Sequence, residues 1–233
     1  MTTILVVDDD DIVAKSIELS LRRQGFNVLI AHTGVEGLKT ARRAPPDLII
    51  LDVIMPGMDG FEVCRQLRED PLLSDIPVLF LTARGKTEDK IAGFRVGADD
   101  YLSKPFNLEE MILRVKAILR RTQPSASARP RPRQLQVGQL TLDCRTYELT
   151  TPEKRVLLTP IQFDLLYHLM SHPGEIFSPE RLLREVWDYP YDAGSPELVR
   201  VHVRNIRERI EPDPRNPTYL RTVPGHGYTI ATE

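Results

Sequence analysis

The chain has 233 residues, with 31 Lys and Arg against 33 Asp and Glu, a formal net charge of -2 and a pI near 6.2. Its hydrophobic fraction of 41 % excludes a globally disordered chain, and no apolar run approaches the ~20 residues that cross a bilayer. The N-terminus shows no signal-peptide pattern, and Cys64 and Cys144 have neither disulfide nor metal-ligand spacing, so we expect a cytoplasmic protein with no membrane contact. The balanced charge, taken alone, argues against a general polyanion-binding protein.

The first half of the chain alternates short apolar segments with amphipathic ones. Strands are predicted at 4–7, 27–31, 48–51, 78–81 and 101–103. Helices are predicted at 11–24, 33–43, 60–68, 87–96 and 107–121. Apolar strands separated by helices are typical of a parallel sheet that helices cover on both faces.

Polar residues follow four of these strands at the point where each strand ends. Asp8 and Asp9 follow the first strand, and Asp52 ends the third. Thr82 ends the fourth strand and Lys104 the fifth. Because the carboxyl ends of parallel strands meet at one edge, where open α/β sheets bind ligands, these five side chains are expected to converge.

The convergence predicts a phosphoryl site with a magnesium ion. Clustered carboxylates need a cation, and a set of hard oxygen ligands favours Mg2+. Asp52 is the candidate nucleophile that would form an acyl phosphate, with Asp8 and Asp9 holding the metal. Lys104 would pair with one phosphoryl oxygen, and Thr82 would donate a hydrogen bond to another.

Other interpretations of these residues remain open at this point. A single aspartate after a strand is more often a helix N-cap, and Asp10 or Asp11 is the expected cap. An enzyme with an aspartate nucleophile that acts on small phosphorylated molecules is a second possibility. That chemistry usually needs another acid/base aspartate two residues after the nucleophile, and this position is Ile54.

The motifs that carry this constellation resemble those of the receiver domain of two-component response regulators. They are Leu5 to Asp10, Leu51 to Gly60, Leu81 to Ala83 and Lys104 to Phe106. The resemblance implies a flavodoxin-like, doubly wound parallel sheet of strand order 2-1-3-4-5 and transfer of a phosphoryl group to Asp52 from a sensor histidine kinase. It also implies that Asp8, Asp9, Asp52 and the carbonyl of Ile54 bind Mg2+.

Two further features follow from the same resemblance. The Lys104-Pro105 peptide would be cis, which X-Pro bonds allow at low cost. Tyr101 matches a switch residue whose ring turns inward when Thr82 moves toward the phosphoryl group, whereas the residue pattern alone predicts only a half-buried edge-strand aromatic.

Charged residues near the end of the first half predict a dimer interface. Taken singly, they are solvated ions that contribute little to stability. In the OmpR/PhoB subfamily, which this pattern resembles, such residues pair across a symmetric homodimer that phosphorylation favours. The expected pairs are Lys90 with Glu110, and Asp99 and Asp100 with Arg114 and Arg121.

A Pro-, Ala- and Arg-containing segment at 122–134 predicts a flexible linker between a receiver domain at 1–121 and a second domain at 135–233. The segment 135–158 predicts a small antiparallel sheet. Thr159-Pro160 and Ser178-Pro179 predict helix starts, and Pro196 opens a third helix that runs to about Ile210. Residues 222–230 predict a glycine-tipped hairpin.

The third helix has the pattern of a DNA-recognition helix, although a solvated amphipathic helix explains it as well. Its predicted core stripe is Val199, Val203, Ile206 and Ile210, and the opposite crest includes Val201 and Asn205. Cations flank the crest on both sides: Arg200, Arg204 and Arg207 on one, His202 and Arg209 on the other. Such flanks can reach both phosphate walls of a major groove while the crest faces base edges.

The second half resembles the winged-helix effector domain of the OmpR/PhoB subfamily, an α+β fold that binds tandem direct half-sites of double-stranded DNA. The matching segments are 158–166, Val186-Trp187, 201–203 and 221–228. The resemblance implies that His226 and Tyr228 lie in a DNA-contacting wing. The chain departs from the usual pattern at Gln162, Glu197, Arg200, Asn205 and Pro224. The missing wing arginine weakens the expectation of minor-groove insertion, while Asn205 could bond adenine.

Together these features predict a phosphorylation-activated transcriptional regulator that is not an enzyme. Its expected partners are a sensor histidine kinase, double-stranded DNA and a second copy of the chain, with RNA polymerase as a further candidate. A receiver whose output domain binds RNA or protein is the alternative.

Overall fold

The structure is a computed structural model that describes residues 1–83, 97–122, 131–189 and 194–232. The chain divides into two compact units, Met1–Gln123 and Pro124–Glu233. The predicted helix at 87–96, with Lys90, and most of the predicted linker lie outside the described residues.

The first unit contains a parallel five-stranded sheet of order β2-β1-β3-β4-β5, so the predicted strand order is confirmed. Its strands are β1 (Thr3–Val7), β2 (Asn27–Ala31), β3 (Leu48–Asp52), β4 (Val78–Ala83) and β5 (Asp100–Lys104). The described helices are α1 (Asp11–Arg23), α2 (Gly34–Arg43), α3 (Gly60–Glu69) and α4 (Leu108–Thr122).

Local sequence accounts for these elements. The Asp10 carboxylate accepts hydrogen bonds from the first-turn amides of α1, so Asp10 rather than Asp11 is the N-cap. Thr33 and Asp59 cap α2 and α3 in the same way. Every residue of β3 is buried, because helices cover both faces of the sheet with separate apolar clusters.

The second unit contains a four-stranded antiparallel sheet, three described helices and a hairpin, as predicted. The sheet runs through β6 (Gln134–Val137), β7 (Leu140–Asp143), β8 (Glu148–Thr150) and β9 (Arg155–Leu157). The helices are α5 (Pro160–Met170), α6 (Pro179–Glu185) and α7 (Pro196–Ile210), each with proline in its first turn. The hairpin, called the wing below, pairs β10 (Leu220–Val223) with β11 (Gly227–Ile230).

The helices and the two cysteines can be compared with what the composition predicted. Within the described ranges, none of the helices combines the length and the apolar character that a membrane crossing requires. Both cysteines are reduced thiols outside any disulfide, and burial raises the pKa of Cys64 to about 11, which makes it an unreactive core residue.

Candidate functional site

Three carboxylates meet at the carboxyl edge of the first unit's sheet. Val7 of β1 pairs with Leu51 of β3. The residues that follow them in the chain, Asp8 and Asp52, therefore lie side by side. Oxygen atoms of Asp8, Asp9 and Asp52 lie within 4.8 Å of one another. Asp8 is 0 % exposed and Asp52 is nearly buried, whereas Asp9 opens to solvent.

Lys104 joins the two buried carboxylates. Its Nζ donates to Oδ2 of Asp8 and to Oδ2 of Asp52, each at 2.7 Å. The strand order places β4 between β3 and β5, so the long lysyl chain reaches across the edge to do this. The peptide that follows, Lys104-Pro105, is cis, as predicted.

Burial and charge act in opposite directions on these groups. Burial raises the pKa of Asp52, and the neighbouring Asp8 carboxylate adds to the increase, while Lys104 and the Ile54 amide oppose it. Burial lowers the pKa of Lys104, but its hydrogen bonds to Asp52 and Asp8 outweigh burial and leave that pKa above its usual value. Lys104 is therefore positively charged and lies beside a larger number of carboxylate groups.

The residues present fit a magnesium ion. The three carboxylates offer only oxygen ligands, and the exposed Asp9 leaves a path from solvent. The backbone amide of Ile54 donates to Oδ1 of Asp52 at 3.2 Å, which holds the start of the following loop against the cluster. The Ile54 side chain itself is exposed.

Thr82 and Tyr101 lie on the two strands beyond Asp52. Asp52 pairs with Leu81, so Thr82 stands one position further along β4 at the same edge, and its side chain is buried. Tyr101, opposite Phe80 on β5, is partly buried and packs against the apolar cluster under the sheet. Thr82 thus lies at the acidic edge of the sheet on β4, whereas Tyr101 lies near the start of the edge strand β5.

Three of the predicted dimer residues, Asp99, Asp100 and Glu110, have ion-pair partners within the chain, and their pairing across a dimer stays a prediction. Arg114 on α4 binds Asp100 at 2.9 Å and Glu110 at 2.6 Å. Asp99 instead binds Arg68 at 3.2 Å and accepts from the Val78 amide. These pairs form because β5 and α3 bring residues together that are distant in sequence. Glu110 remains half exposed.

Burial and neighbouring positive charges shift the pKa of Asp100 in opposite directions. Burial raises its pKa, while Arg114 and, more weakly, Arg121 act to lower it. Among the described residues, one buried Nη1 of Arg121 has no hydrogen-bond partner. Arg121 therefore lies close enough to Asp100 to lower its pKa within the chain, while its predicted contact with a second copy stays a prediction.

Helix α7 is buried over a wider arc than its sequence pattern predicts. Leu198 and His202 join the predicted stripe of Val199, Val203 and Ile206 in the interior. The His202 ring lies 5.3 Å from the Trp187 ring, so this residue packs in the core rather than on a DNA-facing flank. Val201 and Asn205, the predicted crest, are 4 % and 5 % exposed.

These burials correct the predicted roles of His202, Val201, Asn205 and Tyr228. Tyr228 is also buried, and its backbone exchanges two hydrogen bonds with Phe177. A helical wheel separates apolar from charged positions, but it gives no weight to an imidazole or amide that a neighbouring element covers. In the described conformation, these four side chains are not open to DNA.

The flanking arginines divide into two kinds. Arg200 and Arg204 are 60 % and 49 % exposed, and among the described residues each forms its ion pair with a glutamate one turn away on the same helix, Glu197 or Glu208. Arg207 and Arg209 instead turn toward other elements. Arg209 donates to Oε1 of Gln162 at 2.8 Å and to the Leu157 carbonyl, and burial lowers its pKa.

The remaining predicted contact, His226, is exposed at the tip of the wing. Its Nδ1 lies 2.9 Å from the Pro224 carbonyl oxygen, which orients the ring on the turn. Of the predicted DNA contacts, Arg200, Arg204 and His226 are therefore the residues that the structure leaves accessible.

Glu211 is an organising residue that the sequence pattern did not single out. This carboxylate is buried just beyond α7 and accepts from the backbone amides of Thr218, Tyr219 and Leu220, which leads the chain into the wing. Its position before Pro212 looks like an ordinary surface charge after a helix, because its donors come from seven to nine residues later.

Two family matches cover the two units. Residues 4–116 match the response regulator receiver domain, and residues 153–230 match the C-terminal domain of transcriptional regulatory proteins. The chain is 44 % identical over 230 residues to the DNA-binding dual master transcriptional regulator RpaA of Synechocystis, covering 99 % of this chain and 95 % of RpaA. The chain belongs to the OmpR/PhoB family of DNA-binding response regulators.

Other relatives share this architecture over their whole length. The alkaline phosphatase synthesis transcriptional regulatory protein PhoP of Bacillus subtilis is 40 % identical over 232 residues, which covers 97 % of this chain and 95 % of PhoP. The crystal structure of DrrB, an OmpR/PhoB homologue from Thermotoga maritima, is 32 % identical and covers 99 % of both chains, with a TM-score of 0.53. The chain is thus a transcriptional regulator of a two-component system rather than an enzyme, and the family implies a kinase partner and DNA.

Proposed function

We propose that Asp52 accepts a phosphoryl group from a histidine of the sensor kinase. A carboxylate oxygen of Asp52 forms the new P–O bond as the P–N bond of the phosphohistidine breaks, and the electron pair returns to the imidazole, which takes up a proton. The observation that carries the proposal is the group of three convergent carboxylates with Lys104 bound to two of them.

Each residue around Asp52 has a distinct part in this transfer. Asp8, Asp9 and Asp52, with the Ile54 carbonyl, would hold Mg2+, which when bound neutralises negative charge on the phosphoryl oxygens. Lys104 would exchange its bond to Asp52 for one to a phosphoryl oxygen. Thr82 would donate its hydroxyl to another oxygen, and Tyr101 would turn inward as Thr82 moves.

The output of this switch is a homodimer that binds tandem direct half-sites in DNA. Glu110 is the half-exposed carboxylate that would pair with Lys90 of a second copy. In the second unit, Arg200 and Arg204 would contact phosphates, and His226 would contact DNA from the wing. A DNA-binding switch of this kind acts in the cytoplasm, and RNA polymerase is a candidate further partner.

The decisive experiment treats the full chain with Mg2+ and either acetyl phosphate or beryllofluoride. Wild-type protein should shift from monomer to dimer in sedimentation velocity, while Asp52→Asn should stay monomeric. Asp75→Asn, at an exposed aspartate, is the matched control and should behave like wild type. The same response of wild type and Asp52→Asn would refute the role of Asp52.

The proposed Lys90 to Glu110 contact has its own test. Glu110→Lys should weaken the activated dimer by placing like charges together, and Lys90→Glu combined with Glu110→Lys should restore it. A double variant that dimerises no better than Glu110→Lys alone would place this interface elsewhere.

A further inference from the structure

Arg207 lies in the row of arginines on α7, yet its surroundings differ from those of Arg200 and Arg204. Its Nε donates to the Leu220 carbonyl at 2.8 Å, and its Nη2 donates to Oγ1 of Thr222 at 2.8 Å. Both acceptors belong to β10, the first strand of the wing. One edge of the guanidinium therefore binds two acceptors that lie two residues apart on one strand.

The second strand of the wing completes this contact. Tyr228 on β11 pairs with Thr222 across the hairpin, and its ring centroid lies 5.9 Å from the Arg207 guanidinium carbon. A cation at that distance is attracted by the face of the ring. Arg207 thus contacts both strands of the wing from the last turn of α7.

We infer that Arg207 is a positioning residue that fixes the wing relative to the recognition helix, rather than a phosphate contact. Among the described residues, Arg200 and Arg204 form ion pairs with glutamates of their own helix and keep about half of their side chains in solvent. Arg207 is instead partly buried, and its Nε and Nη2 donate to Leu220 and Thr222, which directs that edge of the guanidinium toward the wing rather than toward a phosphate.

As a positioning residue, Arg207 would fix where the wing stands beside α7 when both contact DNA. Glu211 binds the Leu220 amide where the chain enters β10, and Arg207 binds the Leu220 carbonyl and, two residues further along, the Thr222 hydroxyl. Two attachments, at different points of the strand, fix its direction as well as its position. The exposed tip with His226 then stands at a set distance from the exposed arginines Arg200 and Arg204. The inference therefore rests on the proposed contact between this surface and DNA.

Salt dependence separates a positioning residue from a phosphate contact. Each lost phosphate contact lowers the slope of log affinity against log salt by ~0.9. The probes are a duplex selected with wild-type protein and a mixed-sequence duplex, each bound by the full chain activated with beryllofluoride. Arg204→Ala should lose affinity for both duplexes and show this lower slope.

Arg207→Ala should instead lose about tenfold in affinity for the selected duplex and keep the wild-type slope. Lysine retains the charge but not the fork, so Arg207→Lys should bind as poorly as Arg207→Ala, while Arg204→Lys should bind nearly like wild type. Thr222→Val removes one acceptor without changing charge and should cause part of the same loss. The double variant Arg207→Ala with Thr222→Val should be no weaker than Arg207→Ala, because the two residues share one interaction.

The outcomes distinguish this inference from the proposed DNA contact. If Arg207→Ala lowers the slope as Arg204→Ala does and Arg207→Lys restores binding, Arg207 is a phosphate contact and the inference is wrong. If Thr222→Val binds like wild type, the inference is also wrong, and this milder variant decides the matter should Arg207→Ala fail to fold. If Arg204→Ala changes neither affinity nor slope, the proposed DNA surface itself is wrong.

Discussion

At the scale of single residues, Lys104 holds the acidic pocket together in the described state. Its Nζ lies 2.7 Å from carboxylate oxygens of both Asp8 and Asp52, which are two of the proposed metal ligands. The ammonium group thereby takes the position of a counter-ion for buried negative charge. A bound metal ion and the lysine would therefore compete for the charge of the same two carboxylates.

Removal of this lysine should strengthen magnesium binding and abolish the response to phosphorylation. Lys104→Ala frees oxygens of Asp8 and Asp52 and removes a repelling charge, so we expect the Mg2+ dissociation constant to fall about tenfold in calorimetric titration. The same variant should not dimerise with acetyl phosphate, because the phosphoryl group loses its cation. Lys39→Ala, at an exposed lysine of α2, is the control. Weaker Mg2+ binding by Lys104→Ala would contradict the competition.

Gly60 sets the position of Asp52 from the other side. A Cβ at this residue would collide with the carbonyl oxygen of Asp52 and come within 2.9 Å of the Val53 Cα. The amide of Gly60 also donates to the Val53 carbonyl, which brings the start of α3 against the end of β3. Only glycine allows this approach of two backbones.

Gly60→Ala should therefore displace the phosphorylation site. We expect a loss of about 1–3 kcal/mol in the free energy of unfolding, as for an overpacked core, and slower modification of Asp52 by acetyl phosphate. Gly57→Ala in the same loop is the matched control, since its Cβ meets nothing within 4 Å and only its positive φ of 77° opposes the change. Normal modification kinetics in Gly60→Ala would show that the turn can relax without moving Asp52.

At the scale of elements, helices α5 and α6 meet through a histidine in a charged surrounding. His168 Nε2 lies 3.0 Å from a Glu185 oxygen, and its ring lies 4.9 Å from that of His172 and 4.8 Å from that of Phe177. Arg181 binds Glu185 and Glu175, so one network links the two helices and the strand-like segment between them. Burial lowers the pKa of His168, although Glu185 opposes this.

The direction of this shift predicts how stability changes with pH. A histidine whose folded pKa is below the usual value of 6.5 binds protons more readily in the unfolded chain. Its contribution to stability is present above pH 6.5 and is lost as the pH falls toward the lower folded pKa. In urea unfolding experiments, the free energy of unfolding of the second unit should therefore fall more steeply below pH 6.5 for wild type than for His168→Gln. His226→Gln, at an exposed histidine, should keep the wild-type decline, and equal slopes for wild type and His168→Gln would contradict the prediction.

At the scale of the whole molecule, charge is concentrated by position rather than by excess. Residues 1–122 carry 17 basic and 19 acidic side chains, and residues 123–233 carry 14 of each. The neutral balance, which first argued against polyanion binding, is compatible with a DNA-binding protein because α7 carries two exposed arginines, Arg200 and Arg204, about one turn apart. A unit without surplus positive charge should bind non-specific DNA weakly and depend on dimerisation.

Cooperative binding to two half-sites should follow from this dependence. With beryllofluoride, the full chain should bind a duplex with two selected direct half-sites at least about a hundredfold more tightly than a duplex with one, because the second contact becomes intramolecular. Asp52→Asn should lose most of that ratio in gel-shift titrations, and Asp75→Asn should retain it. If the ratio of the affinities for the two duplexes is the same for wild type and Asp52→Asn, cooperative DNA binding does not depend on phosphorylation and the prediction is wrong.

The elements and the acidic site could be predicted because their causes are local. Apolar strands alternating with capped helices specify a parallel sheet, and such a sheet brings the residues after its strands to one edge, which places Asp8, Asp52, Thr82 and Lys104 together. The sequence limited the cap of α1 to Asp10 or Asp11, and the structure selects Asp10, while the cis bond before Pro105 was implied by the family resemblance.

The partners of the long charged side chains were decided only by the tertiary structure. Arg207 and Arg204 have the same periodicity on α7, yet one binds the wing and the other a glutamate on its own helix. Asp100 finds Arg114 inside the chain because β5 lies beside α4. The physical reason is that periodicity specifies which face of an element turns inward, whereas a flexible cation pairs with whatever acceptor a distant segment of the chain brings within its reach.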